Sequence, residues 1–173
     1  LDQLLTERTR FVAFTHCSNI VGSLHPVREW ADKFHAAGAM VIVDGVSYAG
    51  HGLPDVEALG ADIYLFSLYK VYGPHLGVMV MRKNINEQLP NQGHFFNADY
   101  PTARFTPAGP DHAQIASVNG VIDYFEEVYS HHFGDEEVTA RGKTARVRAL
   151  FQHTERRNLQ PLLDFLGQHP SVH

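Results

Sequence analysis

Three short polar segments of the sequence each follow an apolar run that is as long as a β-strand. One begins at His16 and contains Asn19, the second begins at Asp44, and the third leads from Ser67 to Lys70. Lysine usually packs its stem on apolar surface and keeps its ammonium in water, and Lys70 taken alone has that simple interpretation. A lysine shielded from water can instead act as a nucleophile, so the role of Lys70 depends on what surrounds it.

The apolar runs predict strands that alternate with helices. Strands are expected at Phe11–Thr15, Met40–Val43, Asp62–Phe66 and Gly77–Met81, and helices from Pro26 to Gly38 and from Asp55 to Gly60. This alternation indicates an α/β fold with a mostly parallel sheet flanked by helices. Ligands of such sheets bind beyond the carboxyl ends of the strands, and the three polar segments fall at those ends.

The second half of the sequence has a different pattern. Residues 88–109 form a long loop rich in Pro, Asn, Gly and aromatic residues, which favours a functional loop or a subunit contact. Beyond it, helices are expected from Pro110 to about Tyr129, from just after Gly134 to about His153, and from Leu159 to Leu166.

The composition argues against several classes of protein. A net charge of -5 with scattered basic residues is not typical of nucleic-acid binding, and no apolar run has the roughly 20 residues of a membrane span. The single cysteine, Cys17, permits no internal disulfide and favours a reducing compartment such as the cytoplasm. The 12 histidines form no metal-ligand motif, so no metal is expected. No glycine-rich motif follows a strand, which argues against nucleotide binding.

The side chains at the predicted strand ends match the needs of pyridoxal 5′-phosphate. This cofactor is held by a lysine Schiff base, and a carboxylate keeps its pyridine nitrogen protonated. Asp44 follows a buried strand directly, where an unpaired carboxylate is expensive and needs a partner. Asn19 can donate to the ring oxygen, while Ser67 and Tyr69 can reach the phosphate. Each also has a simpler interpretation as a turn or capping residue.

Four segments in this order and spacing resemble the class V aminotransferase family, most closely its cysteine desulfurase-like branch. They read HCSNIVG from His16, VIVDG from Val41, ADIYLFS from Ala61 and YKVYGP from Tyr69. The resemblance implies part of the large domain of a fold-type-I enzyme that works as a homodimer on an amino acid, with the active site near the subunit interface. It also implies roles for site residues: Lys70 as the Schiff-base lysine, Asp44 as the pyridinium partner, Asn19 near the ring hydroxyl and Ser67 as a phosphate ligand.

Three positions depart from the pattern of that family. Ser47 replaces the glutamine that touches the ring oxygen in most desulfurases, and Tyr69 replaces a histidine. A tyrosine can donate to the phosphate but cannot act as a base near neutral pH. Ala108-Gly109-Pro110 replaces the Gly-Thr-Pro whose threonine reaches the phosphate of the partner subunit, so that side-chain contact is missing and Gly109 can offer only its backbone N–H. These replacements keep a non-catalytic homologue open as an alternative.

The resemblance also implies a domain division and a reaction. Residues 1–130 are expected to be part of the cofactor-binding large domain, and residues 131–173 to be helices leading toward a C-terminal small domain. Because the segment 1–5 looks like the end of a helix and the segment 171–173 like the start of a strand, the chain is expected to be part of a longer protein and inactive alone. Carbon–sulfur cleavage is the favoured reaction; transamination, epimerisation and other lyase reactions use the same residues.

Overall fold

The computed structural model of the chain describes residues 4–107, 109–134, 136 and 138–171. The end of a helix that was predicted at residues 1–5 and the start of a strand that was predicted at residues 171–173 fall mainly on residues 1–3 and 172–173, which lie outside this range. Four strands form one sheet in chain order: β1 (Phe11–Thr15), β2 (Met40–Asp44), β3 (Ile63–Ser67) and β4 (Gly77–Met81). The pairs β1–β2 and β2–β3 are parallel, and β4 is antiparallel to β3. The predicted α/β fold with a mostly parallel sheet is therefore confirmed.

The strand register places the carboxyl ends of the three parallel strands side by side. Thr15 at the end of β1 is the partner of Asp44, and Asp44 is in turn the partner of Leu65 in β3. The antiparallel strand β4 starts at this same edge, because Gly77 pairs with Ser67. The polar segments that follow β1, β2 and β3 consequently leave the sheet at neighbouring points.

In the described residues, five α-helices connect and follow the strands: α1 (Val27–Ala36), α2 (Val56–Leu59), α3 (Lys83–Gln88), α4 (His112–Phe133) and α5 (Ala140–Gln168). The predicted α1 and α2 are confirmed, and the side chain of Asp55 caps α2 by accepting from the Ala58 N–H. The sequence did not predict α3, whose six residues are too few to show a helical period. Asp111 caps α4 with hydrogen bonds from the Ala113 and Gln114 backbone, and the Gln114 bonds lower the pKa of this exposed carboxyl.

The prediction of two separate helices after residue 134 is wrong, because α5 runs without a break over 29 residues. The segment 154–158 between them reads TERRN, and its glutamate and arginines favour a helix. Pro161 removes one backbone hydrogen bond inside α5 but does not end it.

The core of the sheet lies against α1. Val27, Ala31 and Phe34 on one face of this helix are fully buried, and they cluster with Val41 and Tyr64 of the sheet. The strand β1 was expected to be buried but is only partly so, with Phe11 60% exposed, because β1 has one hydrogen-bonded neighbour in the described sheet. Burial on one side suffices to fix its register with β2.

The chain divides into two compact units, the first comprising Leu1–Gly50 and Pro54–Val121 and the second His51–Leu53 and Ile122–His173. In the second unit the buried Tyr129 accepts a hydrogen bond from Arg146, and the Lys143 ammonium lies 5.4 Å from its ring centre. The sheet and every predicted site residue belong to the first unit. The predicted division at residue 130 between large domain and connecting helices stays a prediction.

A carboxylate ties the strand ends together at the edge opposite the three polar segments. Asp62, which is 9% exposed, accepts from the backbone N–H of Val41 at 2.7 Å and lies 2.8 Å from Nε2 of His35. Its other oxygen lies 3.1 Å from Nε of Arg82, which also donates to the Ala61 carbonyl. The buried Val41 N–H thus depends on a side chain for its acceptor.

We expect Asp62→Ala to lower the free energy of unfolding of the first unit by about 2–3 kcal/mol, because it leaves a buried N–H without an acceptor. Urea unfolding followed by the fluorescence of Trp30 measures this, since Trp30 is the single tryptophan and its ring lies 5.2 Å from that of Phe14. Asp62→Asn is the control, because it keeps an oxygen for Val41 and loses only the charge. Equal losses in the two variants contradict the account.

Candidate functional site

Lys70 lies in a tight turn that leaves the sheet directly after β3. The turn is a 3₁₀ segment, Leu68–Val71, and it is closed by a hydrogen bond from the Leu68 N–H to the Leu76 carbonyl at 2.8 Å. Gly50 lies against it so closely that a Cβ there would be 2.7 Å from the Lys70 carbonyl oxygen. The backbone of the turn is therefore fixed, while the Lys70 side chain is exposed. The shielding that the nucleophile hypothesis requires is not provided by the described residues.

Asp44 is the last residue of β2 and lies at the edge of the sheet where the parallel strands end. The expectation of a buried carboxylate is wrong, since Asp44 is exposed. Its Oδ1 accepts from the Val46 N–H at 2.9 Å, which satisfies one oxygen and orients the group. No ion pair of Asp44 or of Lys70 is present within the described part of the chain. Ser47, in the same loop, is half-buried.

Asn19 lies at the tip of the turn that follows β1. The residue that shapes this turn is Ser18, whose Oγ accepts from the backbone N–H groups of Ile20 and Val21 at 3.3 and 3.2 Å. Asn19 itself is exposed. The role of turn former, which the sequence allowed for Asn19, thus belongs to its neighbour.

The predicted phosphate ligands fall into two groups. Ser67 and Tyr69 flank the start of the Lys70 turn, and the ring of Tyr69 is stacked on that of His75 at 4.5 Å. Gly109 has a φ of 69° and lies in the segment before α4, which does not leave the end of a strand. Its neighbour Ala108 lies outside the described residues. The structure hence places Asn19, Asp44, Ser47, Ser67, Tyr69 and Lys70 on segments that leave one edge of the sheet, and not Gly109.

Sequence reasoning missed a buried polar cluster directly behind Asp44. His16 is 6% exposed, its Nδ1 lies 2.9 Å from the hydroxyl of the fully buried Tyr64, and its ring is stacked on Tyr48 at 3.7 Å. Burial, together with the nearby His25, lowers the pKa of His16 to about 4, and burial raises the pKa of Tyr64. Both groups are therefore uncharged at neutral pH. No pattern in the sequence indicated this pairing, because residues 48 apart meet only once the strand order is known.

The low pKa of His16 makes the stability of the first unit sensitive to acid. An unfolded chain takes up a proton at His16 near pH 6.5, whereas the folded chain does so only near pH 4. The free energy of unfolding therefore falls as the pH drops from 6.5 toward 4, by about 1.4 kcal/mol per pH unit for this one group, or about 2 kcal/mol at pH 5. Urea unfolding at pH 7 and pH 5 measures the loss. In His16→Phe this part of the loss should vanish; an unchanged pH dependence contradicts the assignment.

Other features of the described residues do not overlap with the site. A cavity of about 660 Å³ lies between β4, the segment 101–111 and the start of α4, and none of the predicted site residues lines it. Within the described ranges, no cluster of His, Cys, Asp and Glu side chains has the arrangement of a metal site. Across the same residues, no helix combines the length and apolar character needed to cross a membrane.

The comparisons with known proteins agree on one family. The family model described as "Aminotransferase class-V" matches residues 1–145. The aminotransferase-like protein FGM3 of Gibberella zeae is 52% identical over 100 residues, which are 57% of this chain and 25% of that protein. The cysteine desulfurase-like protein ustD of Aspergillus flavus is 45% identical over 98 residues, 56% of this chain and 22% of that protein.

A solved structure shows the same fold. The crystal structure of the cysteine desulfurase CsdA from Escherichia coli superimposes with a TM-score of 0.63 and 26% sequence identity, over 73% of this chain and 35% of that one. The chain therefore spans between about a fifth and about a third of the length of these relatives.

Proposed function

The chain belongs to the class V aminotransferase family, and we propose on this basis that it binds pyridoxal 5′-phosphate and acts on an amino acid through Lys70. The observation that supports this most directly is the strand register. It places Asp44 beside the end of β3, from which Lys70 follows after a single turn. A carboxylate and an amine thus leave the same edge of a parallel sheet, where ligands of such sheets bind.

The groups at this edge fit the cofactor chemically. Pyridoxal phosphate needs an anion at its pyridine nitrogen, an amine at its aldehyde and hydrogen-bond donors at its phosphate. Asp44 Oδ2 accepts no hydrogen bond from a described residue, while Oδ1 is held by Val46. Ser67 makes no capping hydrogen bond with its hydroxyl, and the Lys70 ammonium is exposed. The polar atoms that a ligand requires are therefore available.

Each residue has a defined task in the proposed mechanism. The bound cofactor supplies an electron sink for the bonds at the α-carbon of an attached amino acid. The Asp44 carboxylate holds a proton on the pyridine nitrogen, which keeps that sink strong. The Lys70 amine would hold the cofactor at its aldehyde and would be the base that moves the proton at the α-carbon of the substrate.

The remaining predicted residues would hold and orient the cofactor. Ser67 and Tyr69 donate hydroxyl protons to phosphate oxygens, and the backbone N–H of Gly109 is proposed as a further donor. Asn19 and Ser47 donate to the ring oxygen. The stacking of Tyr69 on His75 limits where the Tyr69 hydroxyl can lie and supports its role as a donor.

We propose carbon–sulfur cleavage of a cysteine-like substrate as the reaction. The support is the similarity to the desulfurase-like ustD and to the desulfurase CsdA. Such a reaction passes the sulfur to an acceptor thiol and leaves alanine. The test is to incubate the intact protein, cofactor and cysteine with excess dithiothreitol and to measure alanine and sulfide. Equal amounts of both are expected. A keto acid product with no sulfide indicates transamination instead, and a protein that stays colourless with added cofactor contradicts the whole proposal.

We also propose that the protein is a homodimer in a reducing compartment such as the cytoplasm. Large apolar side chains are exposed in the first unit near the site and in the long loop: Ile20 83%, Val21 76%, Phe95 80% and Phe96 57%. The ring centres of Phe95 and Phe96 lie 5.7 Å apart, and adjacent exposed apolar side chains of this kind support a subunit contact. Light scattering of the intact protein should give twice the monomer mass, and a monomer at micromolar concentration contradicts the proposal.

A further inference from the structure

We propose that His16 and Tyr64 form a positioning pair for Asp44, holding the strand end and loop that carry its carboxylate. This inference rests on the proposed function, because it gives Asp44 its importance. Neither residue has a part in the mechanism described above. Both are nonetheless polar, almost fully buried and placed directly behind the candidate site.

The pair is joined to the peptide unit that follows Asp44. The backbone N–H of His16 donates to the Asp44 carbonyl at 2.8 Å. The next residue, Gly45, lies against the Tyr64 ring so closely that an added Cβ would be 2.1 Å from ring atoms. Its N–H donates to the Leu65 carbonyl at 2.7 Å. The peptide unit between Asp44 and Gly45 is therefore held by the backbone of His16 and packed against the ring of Tyr64.

The loop that follows Asp44 folds over the same pair. The backbone N–H of Tyr48 donates to the Gly45 carbonyl at 3.0 Å, and the Tyr48 ring is stacked on the His16 ring. The loop 44–48 is thus clamped between the hydrogen bond at its base and the stacked ring at its end. It carries two predicted cofactor contacts, Asp44 and Ser47.

The chemistry of the pair suits a positioning role better than simple space filling. Two apolar side chains would fill this volume without the cost of burying polar groups. The hydrogen bond between Nδ1 of His16 and the Tyr64 hydroxyl instead fixes the orientation of the His16 ring and the position of the Tyr64 hydroxyl. Burial keeps both groups uncharged at neutral pH, so neither offers Asp44 a competing charge. The other titratable groups facing the pair are His25, Tyr48 and Cys17.

Tyr64→Phe is the sharpest test, because it removes one oxygen atom and keeps the buried ring. In the intact protein we expect kcat to fall by about 10- to 100-fold, as for residues that orient metal ligands, with only a small change in cofactor affinity, as in Asp44→Asn. The pH dependence of the visible absorbance of the bound cofactor should shift as well. Tyr129→Phe is the matched control: Tyr129 is equally buried, and its hydroxyl bonds to Arg146 in the second unit. It should change none of these.

Two further variants separate positioning from folding. His16→Phe keeps a ring for stacking but loses the hydrogen bond, whereas His16→Asn keeps a polar group near the Nδ1 position. Partial rescue is expected in His16→Asn relative to His16→Phe. Combined with Asp44→Asn, Tyr64→Phe should have little additional effect, because residues that act through one group are not additive.

The outcomes distinguish the two proposals. If the wild-type protein binds cofactor and Tyr64→Phe behaves like Tyr129→Phe, the positioning role is wrong and the proposed function stands. If the losses in kcat caused by Tyr64→Phe and by Asp44→Asn add fully in the double variant, the pair does not act through Asp44. If the wild-type protein binds no cofactor, both proposals are overturned.

Discussion

Lys70→Ala should abolish turnover of the intact protein and remove the visible absorbance that the cofactor acquires when it is bound through an amine. No other lysine follows a strand at the edge where Asp44 lies, so no neighbour takes over the covalent attachment or the transfer of the α-proton. Loss of proton transfer alone costs about 10²–10⁴-fold in rate. Steady-state assays with cysteine and an absorbance titration with pyridoxal phosphate measure the two effects.

Lys83→Ala is a suitable control for this experiment. Lys83 is 89% exposed on α3, where its ammonium lies 3.7 Å from Glu87, and it is not part of the predicted site. The Lys83→Ala substitution removes the same charge, and we expect it to change neither the rate nor the absorbance spectrum. Equal loss in both variants indicates a general effect of charge, and full activity of Lys70→Ala refutes the assignment of Lys70.

Asp44→Asn should slow the chemical step by about 10²–10³-fold, the cost of removing one preorganised electrostatic contact from an active site. The asparagine keeps an oxygen for the Val46 N–H, so the loop is expected to keep its conformation and the cofactor to bind with a modest loss. The signature is a low kcat with a small change in cofactor affinity. A structural defect would weaken both together.

Asp32→Asn controls for the loss of a negative charge in the same unit. Asp32 lies on α1 in an exposed ion pair with Arg28, and exposed pairs of this kind contribute little. Turnover should be unchanged in this variant. If Asp44→Asn also keeps wild-type turnover, the Asp44 carboxylate has no role as the partner of the pyridine nitrogen.

The sheet could be predicted from the sequence because its signals are local. Each strand is a short apolar run, and Gly38 and Gly60 end the first two helices with left-handed backbone, as their positions indicated. The continuity of α5 could not be predicted from the sequence. The segment 154–158 has the polar composition of a connection, but its glutamate and arginines also have a high propensity for helix. Propensity prevailed there, and Pro161 did not end the helix.

The site was predictable only in part, for a different reason. Spacing along the chain located the residues that end strands, including Asp44 and Lys70. The exposure of a side chain and the partners that it contacts depend instead on which elements of the fold cover it. The sequence thus suggested a buried Asp44, which is exposed, and did not reveal the contact between His16 and Tyr64. Contacts across a sheet become visible only when the strand order and register are known.

The closed turn that carries Lys70 also sets how fast its amine can move. Its backbone is tied to β4 through Leu76 and Gly77, and it is backed by Gly50. The main chain has therefore little freedom, while the side chain is open to solvent and can rotate about four carbon–carbon bonds. Rotations of this kind in exposed residues take picoseconds to nanoseconds. The amine can consequently change its position much faster than the backbone rearranges, and the transfer of a proton in the proposed mechanism would require no loop opening.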